Sequence, residues 1–315
     1  MEADSVFDLL AANLRAIFEK NLISQQRLEE IRLRVNAPLF VRCDGTEYAV
    51  KPDGTFSGDT CLAYCVTKED IDETLEYISG YSLYAFSEEI RQGFITVAGG
   101  HRIGIAGKIV AEGRKVQCVR HISFINIRLA HQRIGCADLV MPSVATDNKV
   151  FSTLIISPPG CGKTTLLRDM VRQISNGING NPGKNVGVVD ERSEIAGTYL
   201  GIPQNDVGIR TDVLDCCPKS IGMMMLLRSM SPQVIAVDEI GSREDKEAIE
   251  NIHHCGCKLL ATVHGTSVEE VWDHPIFRDL AAQRVFERYI VLDGKNRGRV
   301  KVVTDEKNEI LYQGA

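Results

Sequence analysis

Nine consecutive residues, Ser157-Pro158-Pro159-Gly160-Cys161-Gly162-Lys163-Thr164-Thr165, place two glycines ahead of a lysine and two hydroxyls. That order suits a phosphate chain. Glycine lets the backbone come close to phosphate oxygens, and N–H groups at the start of a following helix point at them. Lys163 is then expected to reach the β- and γ-phosphates of ATP, and the Thr164 hydroxyl to ligate Mg²⁺. Ser157 stands where the usual pattern has its first glycine, which bears on the loop's shape and not on the lysine. A second group, Asp238-Glu239, ends the apolar run Val234-Ile-Ala-Val237. Asp238 suits Mg²⁺ through water, and its neighbour Glu239 is placed to polarise an attacking water. His264, after the apolar run Leu259 to Val263, is a candidate sensor of the γ-phosphate.

Such residues need strands that end at one edge and helices that begin there. Ser152–Ile156 reads as a strand running into the loop, and Leu166–Val171 as the helix after it. A further strand, Asn185–Val189, lies between the two motifs in the chain and ends in Asp190-Glu191-Arg192. Ligands of open α/β sheets bind at the carboxyl edge of the strands, where all these residues fall. The expected class is therefore α/β, a RecA-like P-loop ATPase core of mostly parallel sheet flanked by helices.

The chain has 315 residues, 44% hydrophobic and 25% charged, which excludes general disorder and suggests two domains. The expected division is an N-terminal α+β adaptor or oligomerisation domain at 1–135 and a P-loop ATPase domain at 136–315. In the first part, residues 4–20 read as one amphipathic helix and Ile31–Val35 with Leu39–Arg42 as a hairpin. Thr67 with Asp70 marks a capped helix start. Strands are expected at 93–98 and 101–110, turned by Gly99-Gly100. The net charge of −6 conceals two opposed stretches. Residues 68–89 carry seven acids against Lys68, and residues 101–133 carry seven bases against Glu112. Solvated faces and a surface for phosphate or a neighbouring subunit are both open readings of this contrast.

No apolar run approaches a membrane span, and Glu2, Asp4 and Asp8 stand where a secretory signal would not carry acids. A cytoplasmic chain is expected. The ten cysteines show no disulfide spacing. His253, His254, Cys255 and Cys257 could ligate a metal, although packing at the entry to the next strand is the simpler reading. Met223-Met-Met225 suits core packing or an adaptable contact.

At this level of detail the chain resembles the stage III sporulation AA family, in the AAA/RecA-like group related to the hexameric type II and type IV secretion ATPases. The resemblance rests on Gly99–Gly107, Arg120–Arg128, Val189-Asp-Glu-Arg-Ser-Glu-Ile-Ala196, Arg210-Thr-Asp-Val-Leu-Asp215, Arg228–Ile240 and Ala261-Thr-Val-His-Gly265. It implies an ATPase that works beside a secretion-like channel between mother cell and forespore, peripheral to the membrane through membrane-bound partners. It also makes Glu191 a rival to Glu239 as the base. Charge on the transferred phosphoryl calls for a cation from a neighbour, which implies a homo-oligomer, in this family a hexamer. Arg192, Arg210 and Arg228 in the ATPase half and Arg102, Arg120 and Arg128 in the basic stretch are the candidates. A nucleic-acid-dependent P-loop ATPase is the alternative, although 6% aromatic content offers little for base stacking.

Overall fold

The computed structural model describes residues 5–20, 27–80, 90, 93–113, 115–146, 149–177, 180 and 182–314. It divides into two compact units, one up to His131 and one from Gln132.

The first unit is a seven-stranded antiparallel sheet in the order β4-β3-β2-β1-β7-β6-β5. Its strands are β1 (Leu28–Arg34), β2 (Phe40–Cys43), β3 (Thr46–Val50), β4 (Phe56–Ser57), β5 (Phe94–Thr96), β6 (Arg102–Glu112) and β7 (Lys115–Arg128). The expected hairpin pairs Ile31 with Val41. Two helices, α1 (Ala12–Lys20) and α2 (Lys68–Ile78), bury Leu14, Ile17, Phe18, Ile71, Leu75 and Ile78. Thr67 caps α2 in a reciprocal box with Asp70, as its spacing predicts. The expected single helix over 4–20 is broken. Val6–Leu9 forms a 3₁₀ turn capped by Ser5, and Leu10 is extended before α1 begins. The Ala11 N–H, which helix would have used, donates instead to Thr74 Oγ1 on α2 at 3.0 Å.

The basic stretch forms most of the β6–β7 hairpin. Its register sets Arg102 opposite Arg128 and Lys108 opposite Arg120. Like charges facing each other across a ladder repel. Two of the four have local compensation: Arg102 lies over the Phe94 ring at 3.8 Å, and Arg128 is 3.8 Å from the Glu30 carboxylate. The opposed acidic stretch is described on α2 only, since Glu88 and Glu89 lie outside the described residues.

The second unit starts with α3 (Met141–Val144) and the ribbon β8 (Ala145–Thr146) with β9 (Lys149–Val150). Its sheet has the order β12-β11-β13-β14-β10-β15-β16-β17. The strands are β10 (Thr153–Ser157), β11 (Val186–Asp190), β12 (Thr211–Asp215), β13 (Val234–Val237), β14 (Lys258–His264), β15 (Arg288–Leu292), β16 (Val300–Asp305) and β17 (Ile310–Gln313). Pairing is parallel from β12 to β15 and antiparallel beyond. Every residue of β10, β11 and β13 is buried, the mark of parallel strands covered on both faces. One apolar layer carries Leu167, Met170 and Val171 of α4 (Lys163–Asn176). The other carries Met223 and Leu226 of α5 (Lys219–Ser229) and Ile249 and Ile252 of α6 (Arg243–His254). The methionine run is therefore split, with Met223 in the core and Met225 half exposed.

No helix among the described residues is long and apolar enough to cross a membrane. Cys257 is buried and Cys255 exposed, and no metal-ligating cluster of His, Cys, Asp or Glu occurs among the described residues.

Candidate functional site

The carboxyl ends of β10, β11, β13 and β14 carry the chemistry. Register aligns Ser157 of β10 with His264 of β14, and Val237 of β13 with Ala261. Asp238, one residue past Val237, thus falls beside Thr262. In the sheet it is β14 that separates the lysine loop from the Asp238 strand. The strand at 186–190, between the motifs in the chain, lies on the far side of β13.

Between β10 and α4 the loop turns through Gly160 at φ 75° and Gly162 at φ 98°, backbone states that favour glycine. Gly162 is the N-cap of α4, so the helix begins at Lys163 with its free N–H groups toward the loop. Ser157 is fully buried and its hydroxyl donates to Pro158 O at 2.7 Å. Its φ is not left-handed, so no glycine is required there. A second loop supports the first from outside: Gly298, between β15 and β16, donates its N–H to Cys161 O at 2.9 Å. A side chain on Gly294 would meet the Pro158 ring at 3.3 Å. Sequence reasoning missed this support, although paired glycines at 294 and 298 around two bases, Lys295 and Arg297, were a visible signal.

Lys163 is 8% exposed, and burial lowers its pKa against the pull of Asp238, Glu239 and Glu194. Its ammonium, which can only donate, lies 2.8 Å from His264 Nδ1. That leaves the imidazole proton on Nε2, which is 3.4 Å from Glu239 Oε1. Thr164 donates to Asp238 Oδ2 at 2.6 Å. Glu239 also faces Arg192 at 3.4 Å. Five predicted residues, Lys163, Thr164, Asp238, Glu239 and His264, are thus brought together. Glu191 is paired with Lys219 at 2.5 Å. Arg210 precedes β12 and donates to Ser175 O at 3.1 Å, near the end of α4, while exposed Arg228 ends α5. Both sit at the amino edge of their own chain's sheet, away from the lysine loop.

Asp190, at the end of β11, is 2% exposed and accepts N–H bonds from Glu194, Ile195 and Ala196 at 2.8–2.9 Å. Arg168 of α4 binds the same turn from the other side, donating to Ile195 O at 2.5 Å and Glu194 O at 2.6 Å. Burial, helped by Asp215, pushes the Asp190 carboxyl up to about 6 despite its three donors. A carboxyl raised in the folded state contributes stability in full below its unfolded pKa and loses it as pH rises through the folded value. About 3 kcal/mol is therefore expected to disappear between pH 4 and 7, at about 1.4 kcal/mol per unit. Urea unfolding of wild type and Asp190→Asn at several pH values checks this: the wild-type midpoint should fall relative to the variant as pH rises. A constant difference would contradict it.

The loop and the acids fit a magnesium nucleotide. Thr164 and Asp238 offer hard oxygen donors side by side, the set Mg²⁺ prefers. A Cβ at Gly160 would meet nothing, so the face of the loop is open.

The chain matches the family model "Sporulation stage III, protein AA" over residues 2–311. It is 41% identical over 286 residues to Stage III sporulation protein AA of Bacillus subtilis, covering 90% of this chain and 89% of that protein. It is also 25% identical over 279 residues to Protein SEEDLING PLASTID DEVELOPMENT 1 of Arabidopsis thaliana, 87% of this chain but 35% of that longer protein. Among solved structures it superposes on the Legionella pneumophila ATPase DotB with TM-score 0.56 at 14% identity, over 84% of this chain and 72% of that one. The pilus retraction motor PilT, solved with bound ADP, gives 0.54 at 16% identity, over 85% and 74%. The RecA-like fold of secretion ATPases is thereby shown, as the motif order predicts. The chain belongs to the sporulation stage III protein AA family.

Proposed function

We propose that the chain is an ATP-hydrolysing motor of the secretion-ATPase type, working as a homo-oligomer, a hexamer, on a membrane-bound channel complex between mother cell and forespore. The carrying observation is the convergence of Lys163, Thr164, Asp238, Glu239 and His264 at the end of β10, β13 and β14. Lys163 leaves His264 for the phosphates and stabilises the negative charge that gathers there during transfer. Glu239 takes the proton of the attacking water, and His264, released by the lysine, donates from either nitrogen toward phosphate. Thr164 and Asp238 would hold Mg²⁺, which would supply charge neutralisation on the phosphates. Glu239 is favoured over Glu191 because it lies within the electrostatic reach of Lys163 while Glu191 is committed to Lys219.

Arg192 faces Glu239 at 3.4 Å within its own chain, and the reading adds a further cation from a neighbouring copy for the charge that develops on the transferred phosphoryl. Exposed Arg228 and the β6–β7 cations Arg102, Arg120 and Arg128 are the residues offered. The facing pairs Arg102/Arg128 and Lys108/Arg120 also suit an anionic partner surface, and this favours a second reading, ATPase activity driven by nucleic acid.

Turnover per subunit measured across protein concentration, with mass in solution, tests the shared site. Activity is expected to fall as the oligomer dissociates. Flat turnover through dissociation would sink the shared site, and stimulation by single-stranded DNA or RNA that collapses with salt would install the second reading.

A further inference from the structure

β14 is apolar and buried along its middle, from Leu259 to Val263, with one polar exception. That exception is Thr262, which has no exposed surface. A hydroxyl buried without partners costs about 1–3 kcal/mol, so its bonds matter. Both of its capacities are spent on one short turn of the neighbouring strand. Thr262 Oγ1 donates to Asp238 Oδ1. The same oxygen accepts the Glu239 N–H at 2.9 Å. One residue on, Ile240 donates its N–H to the Thr262 carbonyl at 2.9 Å.

The turn needs this restraint. Glu239 has φ 51°, a left-handed state that is uncommon for a side chain of its size. At this turn Asp238 faces Thr164 while Glu239 faces His264 and Arg192. Asp238 is held between two hydroxyls, Thr164 on one oxygen and Thr262 on the other. Thr262 is therefore the point at which the magnesium-side acid and the water-side acid are tied to each other.

We propose that Thr262 is a positioning residue that sets the angle between Asp238 and Glu239, acting on the chemical step and not on nucleotide binding. The proposal rests on the hydrolytic reading above. Valine has threonine's shape without its hydroxyl, so Thr262→Val removes the tie and leaves the packing. Misplacement of a reacting group by about 1 Å can cost about 10²-fold. Thr262→Val is accordingly expected to lower kcat by about 10- to 100-fold. Its Kd for ATP should stay within about twofold of wild type, because the lysine loop is untouched. Thr262→Ser restores the hydroxyl and should recover most of the rate.

The measurement is steady-state ATP turnover and binding of a fluorescent ATP analogue for wild type, Thr262→Val, Thr262→Ser and Lys163→Ala. Wild-type kcat in Thr262→Val overturns the proposal, as does equal loss in both Thr262 variants or a loss of affinity that matches the loss of rate. Failure of the hydrolytic reading is distinct: wild type would turn over no faster than Lys163→Ala. Amide exchange at Glu239 still decides the clamp in that case, since protection should be lost in the valine variant and kept in the serine one. Unchanged protection in Thr262→Val would overturn it.

Discussion

Glu239→Gln is expected to bind ATP as tightly as the wild-type chain and to hydrolyse it about 10²–10⁴ times more slowly. The substitution keeps the shape and the turn at φ 51° but removes the proton acceptor. Binding should survive because Glu239 is not part of the 157–165 loop, and losing one negative charge near Lys163 does not weaken a polyanion's hold. Glu191→Gln is the control. Its carboxylate serves Lys219, so the rate should change little. A radiolabelled ATP-trapping assay beside turnover reads both quantities, and the reverse ranking of the two variants would move the base to Glu191.

Lys163→Ala is expected to lose both functions. The ammonium is buried and counterbalances Asp238, Glu239 and Glu194, so its removal leaves three acids facing an incoming polyphosphate. Loss of a preorganised donor to the transferred phosphoryl costs about 10²–10³ in kcat on top of the weaker binding. The fold should persist, since α4 is held by Leu167, Met170 and Val171 and not by the lysine. Circular dichroism and thermal melting check that, while ATP titration by calorimetry should show no measurable heat. Wild-type affinity in this variant would remove the loop from nucleotide binding.

Much of this site was legible in the chain because its signals are local. An apolar run followed by Ser-Pro-Pro-Gly-Cys-Gly-Lys-Thr and a helical pattern predicts a lysine at the start of a helix, and the structure puts β10, Gly162 and α4 in that order. Asp238-Glu239 likewise follows the end of β13. Strand order was not legible. Parallel strands joined by long crossovers carry no local mark of their neighbours, so nothing in residues 258–264 announces that β14 enters between β10 and β13. That placement is what makes Thr262 matter, and its one visible trace was a hydroxyl inside an otherwise apolar strand. The N-terminal helix failed for a related reason: the spacing of Val6, Leu9, Leu10 and Leu14 is helical and all four are buried, but Thr74 of α2, 63 positions on in the chain, captures the Ala11 N–H. Local patterns fix elements; competition from distant side chains decides where they break.

The most direct test of the account is phosphate release from ATP and Mg²⁺ by an excess of the purified chain, beside an equal amount of Lys163→Ala prepared identically. The account predicts ADP and phosphate in equal amounts from wild type and a rate lower by at least about 10²-fold from the variant. Intact ATP after incubation with wild type, or release at the same rate from both proteins, would contradict it.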